Sequence, residues 1–280
     1  MSESASCKNN IDVNNKEMKA IGILGSPHED GNTAAEDVRL TIVYDNNACD
    51  ERLEPAWGFG CYIQIDNVTV LFDTGGDVRI LLSNMAKLNL PLEEIDMVVI
   101  SHMHGDHTGG LFKVLELNSK VKVYLPASFP IEFKERVRKY GCELIEIKSA
   151  TKICNGLATV GELNGIKEQS LIVSPSKGII VVTGCAHPGI VKVLKKAKEL
   201  TGRDIYLAIG GFHLSRESEK TILTIIEELK RLGVKKVAPC HCSETRLGDF
   251  SRKNSERITW KQEWEHVTLS ASEYEEHPNF

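Results

Sequence analysis

Residues 101–110 read SHMHGDHTGG, which places His102, His104, Asp106 and His107 within six positions and glycines at 105, 109 and 110. No propensity for turn or helix calls for a His-x-His-x-Asp-His run, whereas every member of it is a common metal ligand. On an extended loop residues two apart point the same way, so His102 and His104 share one ion. The turn at Gly105 offsets Asp106 and His107 toward a neighbouring point. This spacing differs from the helical pattern in which two histidines stand four apart on one face. One short loop cannot fill two metal shells, so more ligands come from elsewhere in the chain. Upstream, DMVVI at 96–100 suits a buried strand; downstream, LFKVLEL at 111–117 has helical apolar spacing. The cluster therefore sits between a strand end and a helix start, the usual place for ligands in an α/β sheet.

Working outward, apolar runs predict strands at 18–24, 39–44, 58–65, 68–72, 121–125, 169–174, 179–183, 204–209 and 235–239, with helices at 77–88, 130–140, to about 200 and 217–232. Three isolated histidines follow apolar strands directly: His187 in GCAHPG, His213 in GGFHL and His241 in PCHCSE. A lone histidine is usually structural. Three in the same setting, beside the first cluster, imply ligand loops gathered on one shared edge of a sheet sandwich.

Composition agrees with an ordinary α/β enzyme. The chain has 280 residues, enough for one large domain burying roughly three quarters of its unfolded surface. A net charge of −5 argues against nucleic acid or a membrane surface as partner, and leaves a small molecule. No stretch approaches the ~18 apolar residues of a membrane span, and the polar start, MSESASCKNNIDVNNKEMK, has no apolar signal core. The cytoplasm is the expected compartment. In that setting the eight cysteines are thiols or ligands rather than a disulfide frame.

The succession LFDTGG (71–76), SHMHGDHTGG, then two strand-end histidines resembles the metallo-β-lactamase superfamily over roughly residues 38–260. The wording GCAHPG, GGFHL and PCHC is similar to its dihydropterin–ribofuranosylaminobenzene phosphate synthase-like branch. The resemblance implies a four-layer αβ/βα sandwich with a one- or two-metal site at the edge of its two sheets. It implies that His102 and His104 hold a first ion, that Asp106, His107 and His241 hold a second, and that Asp73 orients ligands from beneath. Zinc is the expected metal, with manganese, iron or magnesium as alternatives.

The chain departs from the superfamily pattern in the middle. Where a Gly-His-Thr-type ligand is usual, it has Glu168-Gln169-Ser170; where a bridging Asp is usual, it has Cys185 in Thr-Gly-Cys. His187 is expected to replace the missing imidazole, on a turn whose exit is fixed by a helix starting at Pro188. Cys185 either bridges as a thiolate or lines the turn. His213 either serves as substrate contact and proton donor or is structural; Asp106 also suits a catalytic role, holding the attacking water. Cys240 and Cys242 surround His241. Asn46 and Asn47 follow a strand toward the same edge. Trp57, in PAWGFG, either stacks a flat substrate or anchors its loop.

Residues 1–36 form a polar leader whose MKAIGILGSPHEDGNTA resembles a fragment of a flavodoxin-like flavin reductase, too short to hold flavin; residues 37–280 form the metal domain. The leading expectation is a hydrolase-type enzyme using a dinuclear site to activate water on a small phosphorylated or ester-type metabolite. The alternatives are a condensing enzyme like the pterin synthase branch, and a redox or non-catalytic metal protein.

Overall fold

The computed structural model describes residues 35, 37–47 and 50–243, and the backbone of 259–260 and 267–269. The flavodoxin-like stretch lies outside the described residues; of the 1–36 leader only Ala35 is described. Ala35 bridges Pro175 and is buried between the sheets.

Two sheets form the centre. The first carries β1 (Val38–Tyr44), β2 (Gly60–Ile65), β3 (Val68–Phe72), β4 (Met97–Val99), β5 (Lys122–Pro126) and β6 (Glu143–Ile147) in that order, with β14 (Val267–Leu269) beside β1. The second runs β7 (Ser149–Cys154), β8 (Leu157–Gly161), β9 (Leu171–Val173), β10 (Ile179–Thr183), β11 (Ile205–Gly211), β12 (Lys236–Cys240) and β13 (Thr259–Trp260). Each sheet has an antiparallel part and a parallel part. β3 to β6 are parallel in the first, and β10 to β13 in the second.

Why the strands read as unbroken apolar runs follows from the two-residue period of a strand. In β10, Ile180 and Val182 face the core between the sheets, while Ile179 and Val181 face a core under helices Ile190–Thr201 and Glu219–Leu232. In β4, Val99 points between the sheets and Val98 lies beneath helices Val78–Lys87 and Leu111–Leu117. Three apolar cores thus separate four layers, helix, sheet, sheet and helix. This is the αβ/βα sandwich expected from the motif resemblance. None of the described helices is long and apolar enough to cross a membrane.

Five described strands escape the sequence reading: β6, β7, β8, β13 and β14. β7 and β8 do carry a signal in Asn155-Gly156, a two-residue hairpin turn with Gly156 at φ +70°. β7 is an edge strand with no buried residue, so it lacks the apolar run that marks the others. One boundary also moves. The helix after GCAHPG begins at Ile190, not Pro188, because Gly189 precedes it at φ +96°, outside helical geometry.

The parallel strands β3, β4, β10, β11 and β12 all end at one edge, and their following residues form the site. Gly184 lets the two sheets meet there: a Cβ on it would stand 2.1 Å from Ser101 Oγ and 2.8 Å from Asp73 Oδ2. Gln169 ties the sheets from below. Its backbone N–H donates to Ser101 O at 3.0 Å and its side-chain amide to Ile100 O at 2.9 Å.

Candidate metal centre

Of the six non-glycine residues at positive φ among the described residues, four lie at this edge: Asp73 (59°), Ala186 (54°), His213 (53°) and His241 (49°). Each follows a parallel strand and turns the chain sharply. Such conformations are disfavoured for residues with a Cβ, and they gather where function over-determines the backbone.

The turns bring together every residue singled out as a ligand. His102 Nε2 lies 2.9 Å from His104 Nδ1, and the rings of His102 and His104 stand 4.7 and 4.9 Å from that of His187. On the other side, Asp106 Oδ2 is 3.7 Å from His107 Nε2 and 3.2 Å from His241 Nε2. The Cys185 thiol belongs to both groups. The donor atoms of His102, Cys185 and His187 all lie within 4.8 Å of one another, as do those of His107, Cys185 and His241. Its Sγ stands 3.2 Å from His107 Nε2.

Four of the five histidines in these groups have one ring nitrogen tethered, which leaves the other to face the centre. Ser101 Oγ donates its proton to Asp73 Oδ2 at 2.7 Å, so it can only accept from His102 Nδ1, at 2.8 Å. Asp73 Oδ2 also accepts from His107 Nδ1 at 2.7 Å. Glu168 accepts from His187 Nδ1 at 3.0 Å, and Asn46 Oδ1 from His241 Nδ1 at 3.0 Å. This is how metal-binding imidazoles are usually aimed. The sequence reading placed Asp73 in this role. It missed Glu168, seen there only as the residue standing where a histidine was expected. Glu168 is buried and also accepts the backbone N–H of Cys185, Ala186 and His187, at 2.8 Å each. It therefore shapes the whole turn that carries Cys185 and His187.

The donor set fits metal ions. His241 Nε2 is buried and faces Asp106 Oδ2 at 3.2 Å without the geometry of a hydrogen bond, a site a metal ion would satisfy. Burial, with the neighbouring imidazoles, pushes His102 and His107 down to about 3, so both rings are neutral and offer a lone pair. Burial alone would raise Asp106, yet contact with His241 and His107 holds it below its ordinary value. Burial likewise opposes charge on Glu168, but its hydrogen bond to His187 and the backbone donors bring it down to about 2. Burial lifts Asp73 to about 7. The Cys185 thiol is raised by its hydrogen bond with Cys242 and by burial, so without an ion it keeps its proton.

The remaining expectations divide. His213 is exposed, its ring 4.5 Å from that of His187, on the open side with His104. Asn46 reaches the site; Asn47 instead donates its backbone N–H to Asp45 Oδ2 at 3.2 Å. Cys240 is buried and donates to Ala238 O, away from the donors. Cys242 lies close to Cys185 and His213.

Residues 61–150 match the metallo-β-lactamase superfamily. A 7,8-dihydropterin-6-methyl-4-(β-D-ribofuranosyl)-aminobenzene-5′-phosphate synthase of Methanocaldococcus jannaschii is 30% identical, over 71% of this chain and 81% of that one. An uncharacterized protein of the same organism is 28% identical, over 73% and 90%. Among solved structures, a metal-dependent hydrolase of the β-lactamase superfamily superimposes with TM-score 0.68 at 27% identity, over 83% of this chain and 99% of that one. A metallo-β-lactamase fold protein of Bacillus subtilis gives 0.60 at 15% identity, over 84% and 100%.

Proposed function

Since the chain belongs to the metallo-β-lactamase superfamily, we propose that it is a dinuclear metal-dependent enzyme whose two donor groups have the Cys185 thiol in common. His102, His104 and His187 would hold a first ion; Asp106, His107 and His241 would hold a second. The observation that carries this reading is the membership of one thiol in both donor groups. Imidazole and thiolate together favour zinc over magnesium or manganese. Divalent ions held there would lower the pKa of a water and polarise a phosphoryl or carbonyl oxygen.

The chain's own residues divide the rest of the work. Asp73 and Glu168 fix the rings of His107 and His187. Asp106, only partly buried and kept ionised by its neighbours, would hold the attacking water through a hydrogen bond to its carboxylate. His213, exposed on the open side, would contact the substrate there. Burial of His102, His107, Cys185 and His241 closes the floor, so substrate enters past His104 and His213. The substrate is a small phosphorylated or ester-type metabolite.

A second reading is supported by the synthase name of the 30% identical relative: condensation of two small molecules rather than hydrolysis. Metal analysis of the purified protein, followed by turnover of bis(p-nitrophenyl) phosphate and p-nitrophenyl acetate, separates them. Two zinc ions per chain with hydrolysis support the first reading. Two ions without hydrolysis of either ester support the second. A protein that binds no metal sinks both.

A further inference from the structure

A third set of donors stands beside the two already described. The ligand atoms of Cys185, Cys242 and His213 also lie within 4.8 Å of one another. Neither Cys242 nor His213 belongs to the first two groups, yet several contacts hold both in place. Leu214 N and Ser215 N donate to Cys242 O at 3.1 and 3.2 Å, and Phe212 N donates to Ser243 Oγ at 2.7 Å. The turns after β11 and β12 are thereby stitched together on either side of His213 and Cys242. His213 takes φ +53°, a conformation that costs free energy for a residue with a Cβ. Gly211 makes the room: a Cβ there would stand 2.2 Å from Gly184 O, 2.8 Å from Cys242 Sγ and 3.0 Å from Cys185 Cα. The Cys242 thiol therefore reaches Cys185, to whose carbonyl it donates at 3.8 Å.

The three sets differ in chemistry. His102, His104 and His187 bring three nitrogens to the sulfur of Cys185, while Asp106, His107 and His241 bring two nitrogens and an oxygen. The third set has two sulfurs, one nitrogen and no carboxylate, which makes it the softest of the three. Thiolate sets select soft ions such as copper(I), whereas imidazole and carboxylate suit zinc. Both thiols are buried, at 3% exposure. His213 is exposed on the open side, so an ion from solvent meets the imidazole first and the sulfurs behind it.

We propose that Cys185, Cys242 and His213 form a separate site for a thiophilic monovalent cation of the copper(I) class. It shares Cys185 with the two-ion centre proposed above and needs none of that centre's other donors. Binding displaces thiol protons to solvent and changes no oxidation state.

Anaerobic titration of the zinc-treated full chain with copper(I), in competition with bicinchoninate, tests it. The wild-type protein should hold one copper(I) per chain without losing zinc. Cys242→Ser and His213→Ala should each weaken copper(I) binding by at least the roughly 10-fold seen when a metal site loses even a supporting partner, with zinc content at the wild-type level. His102→Ala should lose zinc and still hold copper(I). Equal copper(I) affinity in either Cys242→Ser or His213→Ala overturns the proposal. So does a wild-type protein that takes no copper from the chelator, copper that displaces zinc one for one, or loss of copper(I) binding in His102→Ala. A protein that binds copper(I) through Cys242 and His213 but retains no zinc contradicts the two-ion reading and not this one.

Discussion

The two donor groups are built alike and buried differently. In each, an imidazole is tethered through one nitrogen and aimed with the other, by Glu168 and Ser101 in one group and by Asp73 and Asn46 in the other. The group of His107 and His241 is sealed, with both rings essentially inaccessible to solvent. The group of His102, His104 and His187 is open on one side, through His104 and beside His213. On the proposed two-ion reading, the sealed group would hold its ion tightly and the open group would meet substrate. A mild chelator should therefore remove the open group's ion first. Simultaneous loss of both ions would break the distinction.

The largest effects should come from the open group's ligands. His187→Ala should lower metal affinity about as much as His102→Ala, by more than the 10–100-fold typical of a lost supporting partner. Metal content after dialysis is the check, and a His187→Ala protein that keeps both ions would remove His187 from the ligand set. Glu168→Gln should cost roughly 10-fold in affinity for the open group's ion through His187. Glu168→Ala should also strand three buried backbone N–H groups, at about 1–3 kcal/mol each, seen as a lower urea midpoint. Asn46→Ala should act a few-fold, on the sealed group alone, because its ring partner is His241.

A smaller effect distinguishes the buried acids from the buried imidazoles in the metal-free protein. His102 and His107, near 3 when folded and about 6.5 when unfolded, lose stability as pH falls from 6.5 toward 3. Asp73 and Asp45, lifted by burial to about 7 and about 6, have the opposite sign: their contribution is present at low pH and lost as pH rises through those values. The two pairs offset between about pH 6 and 4.5. Below about pH 4 the acids add nothing more, while the imidazoles and Glu168, near 2 when folded, continue to destabilise. Urea midpoints should be level between pH 6 and 4.5 and fall below 4. A steep fall in the upper window would contradict the balance.

How much of this the sequence reveals depends on how many signals crowd into one stretch. The 101–110 loop holds four ligand types in six residues and sits between a strand and a helix, so it discloses both the fold and half of the site. The other half comes one residue per strand end, and His187 and His241 are visible only because each follows an apolar run. Glu168 carries no such mark. A buried carboxylate that collects three backbone N–H groups looks, in sequence, like any loop glutamate, because its partners lie 17–19 residues away and are backbone atoms. β7 is invisible to apolar patterning because it is an edge strand with no buried residue.

The central claim is that Cys185 is the shared ligand, and Cys242, close to it, is the competing thiol. Cobalt substitution of the wild-type, Cys185→Ser and Cys242→Ser proteins decides between them, read by the thiolate-to-cobalt charge-transfer band. The band should appear in wild-type and Cys242→Ser and vanish in Cys185→Ser. A band that survives in Cys185→Ser and disappears in Cys242→Ser would contradict the account.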